Sequence, residues 1–97
     1  GSGPAYVFYL TECLAAAGGA LGLDAGLAMR LARATVSGAG EMLHQLDDAP
    51  STLRRNVTSP GGTTAAALDV LMGEGGLSQL MRRAATAARD RARELGQ

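Results

Sequence analysis

Apolar positions recur at helical spacing along nearly the whole chain, and no segment shows the alternation that a half-buried strand requires. After Gly3-Pro4, the residues Tyr6, Leu10, Cys13, Leu14, Ala17 and Leu21 keep that spacing. They predict a first helix ending near Gly22, with the proline tolerated in its first turn. Asp24 is a good cap for a second helix, with apolar positions at Leu27, Leu31, Ala34, Gly38 and Met42, running to about Leu46. Gly38-Ala39-Gly40 lowers intrinsic helicity there but permits close packing. The run Asp47-Asp48-Ala49-Pro50-Ser51 stops this helix and suits the start of a short one over STLRRNV. A fourth helix is expected from about Thr63 to Met72, ended by Gly73, Gly75 and Gly76. The last, from about Ser78, carries Leu80, Met81, Ala84, Ala88 and Leu95 along one stripe, the pattern of a packed face. The fold class is therefore all-α, a helical bundle domain.

Composition changes this picture in one respect. The chain has 97 residues, enough for one domain that buries only about two-thirds of its unfolded surface. Hydrophobic residues make up 46% of it, but many are alanine, with no tryptophan or isoleucine and one phenylalanine, Phe8. Small side chains fill little volume, so the helices must approach closely or recruit a second chain to complete a core. An oligomer is therefore expected.

Charge adds less. Nine cationic and nine anionic residues balance, which argues against a strongly basic nucleic-acid surface. All the cations are arginine, and Arg82, Arg83, Arg89, Arg91 and Arg93 fall in the last segment. There they suit a solvated face, the C-terminal dipole, or pairing with Asp90 and Glu94. Cys13 is the sole cysteine, so no intramolecular disulfide framework is available and a cytoplasmic setting is expected, with Cys13 a buried, inert thiol. The opening YVFYLTECLAAAGGALGL contains Glu12 and follows no basic region, so neither a signal peptide nor a membrane helix is expected.

Candidate chemistry concentrates in NVTSPGGTTAAAL, residues 56 to 68. Ser59 and Thr63 are both possible caps, Pro60 fixes one backbone angle, and Gly61 and Gly62 allow positive φ and close backbone approach. Two readings stay open: a plain capped turn, or a cradle in which the free N–H groups of a helix's first turn hold a carboxylate or phosphate. Elsewhere the patterns are thin. His44 with Asp47 and Asp48 offers a helix-end hydrogen bond more readily than a metal site, and no metal is expected. No base stands near Ser59 to make it a nucleophile, and Tyr6 and Tyr9 read as core or interface residues.

GSGPAYVF at residues 1 to 8, NVTSPGGTTAAAL at 56 to 68 and the helices between them resemble the C-terminal domain of pyrroline-5-carboxylate reductase, the last enzyme of proline synthesis. The resemblance covers essentially the whole chain and rests mainly on the second motif. It implies that residues 1–97 form an all-helical dimerisation and substrate-binding domain that interleaves with a second subunit as a homodimer, with arrays of dimers also known in the family. An N-terminal Rossmann domain would bind NADPH or NADH, and hydride would pass to the C=N bond of 1-pyrroline-5-carboxylate to give proline. No GxGxxG follows a predicted strand here, so the chain looks like a fragment, inactive alone.

Carried onto these residues, the resemblance makes Ser59 through Thr64 the substrate loop, including Gly61 and Gly62. The backbone N–H groups of Gly62, Thr63 and Thr64 become carboxylate donors, and the Thr64 hydroxyl a catalytic group near the imine nitrogen. The Thr63 side chain is not expected to be catalytic, since some members carry alanine there. Asn56 resembles a residue near the nicotinamide and ribose of the cofactor, although capping the end of the short helix would also account for it. Asp47 falls where the family can have an acidic residue in the neighbouring loop. Two rivals remain: a helical oligomerisation module without a ligand, and the helical domain of another NAD(P)-dependent dehydrogenase. The second would normally offer a catalytic lysine, and the chain has none.

Overall fold

The structure, a computed structural model, describes residues 1–96. Five helices follow one another: α1 (Gly3–Ala20), α2 (Ala25–Gln45), α3 (Pro50–Asn56), α4 (Thr63–Leu71) and α5 (Leu77–Glu94). No strand occurs among the described residues, in keeping with the all-α expectation. The chain divides into two compact units, Gly1–Asp48 and the part from Ala49 onward.

The first unit is a hairpin of α1 and α2. Its turn is a Schellman motif: Gly22 N–H donates to the Gly19 carbonyl at 3.0 Å and Leu23 N–H to the Gly18 carbonyl at 3.1 Å. The motif needs a left-handed residue just past the helix, and Gly22 supplies it with φ of 104°. Asp24 then caps α2, its Oδ2 accepting from Leu27 N–H at 3.2 Å.

Small residues let the two helices approach. A Cβ placed on Gly18 would lie 3.3 Å from the Ala28 Cβ, tighter than ordinary contact. Among the described residues the buried hydrophobic positions are Ala15, Ala28 and Ala32, and no large side chain is fully buried. Phe8, Tyr9, Leu10 and Leu14 all lie open on α1, Phe8 by 68%. A helix apolar on nearly every side is suited to being covered on nearly every side. Cys13 is exposed too, contrary to the expectation of a buried thiol. Helical spacing identified an apolar side of α1, but not which chain covers it.

The second unit holds α3, α4 and α5, and among the described residues the extensive helix pair remains α1 with α2. Pro50 occupies the first turn of α3, where its missing N–H costs nothing. Between α4 and α5 the chain turns through glycines: Gly75 has φ of 72°, and Gly76 N–H donates to the Gly73 carbonyl at 3.0 Å. On α5, Ala88 is half-buried while Leu80, Met81 and Leu95 are exposed, so the expected stripe exists but little of it is covered. The expected ion pairs form on the opposite chemistry: Arg89 with Asp90 at 3.1 Å and Arg91 with Glu94 at 2.9 Å. Both are exposed, which limits each to a few tenths of a kcal/mol, at most about 1. No helix among the described residues is long and apolar enough to cross a membrane.

Candidate functional site

The candidate residues form one continuous stretch from the end of α3 to the first turn of α4, wholly within the second unit. α3 ends without a glycine, because no residue from Val57 to Pro60 has positive φ. Its last carbonyls are satisfied differently: Val57 N–H donates to the Arg54 carbonyl at 3.3 Å, and Thr58 N–H to the Arg55 carbonyl at 3.1 Å. The Thr58 hydroxyl also donates to the Arg54 carbonyl, at 2.6 Å. Asn56 therefore does not cap this helix; its side chain is exposed and makes no hydrogen bond among the described residues.

Ser59-Pro60-Gly61-Gly62 then closes as a four-residue turn, with Gly62 N–H donating to the Ser59 carbonyl at 3.0 Å. Proline at the second position and a glycine at φ 73° at the third are the type II pattern. The two glycines serve different needs. Gly61 is required by its left-handed φ. Gly62 is extended, at φ −86° and ψ −176°, and serves by space: a Cβ there would stand 3.2 Å from the Ser59 carbonyl oxygen, a tight contact that only a small shift of the turn relieves.

Gly62 is also the N-cap of α4, and no side chain caps that helix. Neither Ser59 nor Thr63 fills the role that the sequence offered them. The first helical bond runs from Ala66 N–H to the Gly62 carbonyl at 3.2 Å. The N–H groups of Gly61, Thr63, Thr64 and Ala65 consequently have no acceptor among the described residues. The expected donor set is corrected at one end, since the Gly62 N–H is spent on the turn. The Ala65 N–H is open as well. The correction was legible in the sequence: a Pro-Gly pair at the centre of a type II turn commits the next N–H to closing it.

The Ser59, Thr63 and Thr64 hydroxyls make no hydrogen bond among the described residues, and Thr63 and Thr64 are exposed. Several unpaired donors at a helix start, reinforced by the positive end of the helix dipole, favour an anion with two or more acceptor oxygens. Arg54 and Arg55 stand in the last turn of α3, beside the loop in sequence, and form no ion pair among the described residues. Asp47 lies outside this stretch, in the first unit. Tyr9, also in the first unit, has its phenol held above the ordinary range, chiefly by the neighbouring Cys13 thiol. A groove of about 730 Å³ lies between α1 and α2, apolar at Val7, Phe8, Met29 and Val36 and flanked by Glu12 and Arg33. None of the candidate site residues lines it.

The described residues thus form an all-helical chain with its large apolar side chains turned outward and an open, donor-rich helix start. The chain belongs to the pyrroline-5-carboxylate reductase dimerisation family, whose family model matches residues 1–95. It is 47% identical over 96 residues to pyrroline-5-carboxylate reductase of Corynebacterium melassecola, covering 99% of this chain and 35% of that protein. Against the Arabidopsis thaliana enzyme it is 45% identical over 97 residues, covering 100% and 35%. Among solved structures, the Coxiella burnetii reductase superposes with a TM-score of 0.91 at 46% identity, covering 98% of this chain and 35% of that one. The Plasmodium falciparum enzyme, solved with NADP bound, gives 0.91 at 33% identity, covering 99% and 38%. The chain thus spans about a third of the length of the relatives it matches.

Proposed function

We propose that this chain is the C-terminal, dimer-forming and substrate-binding part of a pyrroline-5-carboxylate reductase, which reduces 1-pyrroline-5-carboxylate to L-proline with NADPH or NADH. The observation that carries the reading is the open first turn of α4, in a chain that belongs to this reductase's dimerisation family. The unpaired N–H groups of Thr63 and Thr64, with Ala65 behind them, take the substrate carboxylate. The Ser59–Gly62 turn holds the chain clear of it, because no side chain projects from either glycine.

The Thr64 hydroxyl sits next to its own N–H donor on the same turn, so a ring anchored by its carboxylate brings its nitrogen within reach of that oxygen. A threonine hydroxyl is too weak an acid to protonate the imine alone near neutral pH; it orients a water or an already protonated imine. The nicotinamide cofactor supplies the hydride. The described residues contain no strand and no glycine-rich strand-to-helix loop, so they do not fit the dinucleotide body. A Rossmann domain elsewhere in the protein holds it, and from this chain Asn56, with its amide free, faces the nicotinamide and ribose end.

Two copies complete the fold as a homodimer, the outward apolar side chains of α1 and α2 and the sparsely packed α3, α4 and α5 supplying the shared core. The reductase works as a soluble, cytoplasmic enzyme. The test is the parent protein: purified at full length, it should oxidise NADPH or NADH when given the cyclic imino acid, and its failure with both cofactors would refute the reading. Added proline should shift the amide resonances of Gly61 and Thr63 to Ala65, and shifts confined to α5 would count against the site.

A further inference from the structure

We propose that Thr58 is a positioning residue for the substrate loop, acting through its side-chain hydroxyl; this rests on the reductase reading above. α3 must stop within one residue of Asn56 and pass into a type II turn, without the left-handed glycine that commonly ends a helix. The Arg54 carbonyl shows how this is done. It accepts a long bond from Val57 N–H, 3.3 Å, and a short one from the Thr58 hydroxyl, 2.6 Å. The hydroxyl is the closer of the two. Thr58 is half-buried, whereas Arg54 to Val57 before it and Ser59 to Gly61 after it are exposed.

The next residue, Ser59, is the one whose carbonyl closes the turn with Gly62. Pro60 stiffens the following φ, and Gly62 leads directly into α4. The link from α3 to α4 is thus rigid at both ends, with Thr58 at the joint. A β-branched side chain has few χ1 choices, so fixing its hydroxyl fixes the backbone that carries it. With the hydroxyl bonded, the free amide of Asn56 and the free N–H groups of α4 are held in one register. Without it, the backbone at Val57 and Thr58 loses its tie to the last turn of α3, and the two sets of groups drift apart.

The experiment uses the full-length enzyme and compares Thr58→Val, which keeps the shape and removes the hydroxyl, with Thr58→Ser, which keeps the hydroxyl. Thr58→Val should raise KM for 1-pyrroline-5-carboxylate about fivefold to tenfold, the loss of one such hydrogen bond, with kcat within about twofold. Thr58→Ser should restore KM to within about twofold of the parent. If Thr58→Val does not fold, Thr58→Ala takes its place with the same expectation. A variant lacking the hydroxyl that lowers Tm yet leaves KM unchanged overturns the proposal, as does a KM that rises equally in Thr58→Ser. Either result requires an active parent enzyme, so it is distinct from failure of the reductase reading, in which the parent itself does not turn over.

Discussion

Replacing Gly61 and Gly62 one at a time by alanine separates two causes that the sequence runs together. Gly61 has φ of 73° and open space around its missing Cβ, so alanine there meets no neighbour and is disfavoured by the backbone alone. An L-residue held in the left-handed region costs about 1–2 kcal/mol. For a domain of this size that is a fall in Tm of about 4–8 °C per kcal/mol, measured at fixed protein concentration because a dimer's midpoint depends on it. Asparagine tolerates the left-handed region better than alanine, so Gly61→Asn should recover part of the loss. Gly62 is different. Its φ of −86° suits any residue, but a Cβ would stand 3.2 Å from the Ser59 carbonyl oxygen that accepts the Gly62 N–H. Gly62→Ala should therefore leave Tm within about 2 °C while shifting the loop, read as a raised KM in the full-length enzyme. Thermal unfolding followed by circular dichroism is the assay. Equal losses for Gly61→Ala and Gly61→Asn, or none for either, would refute the conformational argument.

Further predictions concern the reaction, a helix cap and assembly. In the full-length enzyme Thr64→Ala should lower kcat more than it raises KM, by about tenfold to a hundredfold, the worth of one charge-assisted hydrogen bond; an unchanged kcat would remove Thr64 from the chemistry. Asp24→Ala removes the acceptor for Leu27 N–H and should cost about 1 kcal/mol, most of it recovered in Asp24→Ser, and unfolding midpoints of the three proteins decide it. The chain alone should sediment as a dimer at micromolar concentration without cofactor, and a stable folded monomer there would contradict the shared core.

Much of the fold was legible because its punctuation is local. Asp24 before an apolar periodic run, Pro50 after a helix-stopping loop and the glycines from Gly73 to Gly76 each act on their immediate neighbours, and α2, α3 and α5 begin, and α4 ends, beside them. The start of α4 was less legible. Ser59 and Thr63 both have the chemistry of a cap, but a turn closed by the backbone of Gly62 takes the N-cap position first. At the end of α3, capping was one of two readings open for Asn56, and here the Thr58 hydroxyl reaches the open carbonyl instead. The exposure of Cys13 lay beyond reach for another reason. Periodicity ranks the sides of a helix by polarity, and it carries no information about which chain will lie against them.

The alanines between α1 and α2 invert the usual meaning of a mutational scan. In an ordinary core the damage comes from truncation, and substituting alanine finds the residues that matter. Here Ala15, Ala28 and Ala32 are already alanine and Gly18 is smaller still, so such a scan passes over the contact without a signal. The informative change is enlargement. Even a single added methyl at Gly18 must be accommodated 3.3 Å from its neighbours, and larger groups would wedge the helices apart. Beside Ala28, the space at Gly18 therefore admits only the smallest side chains without a shift of the helices.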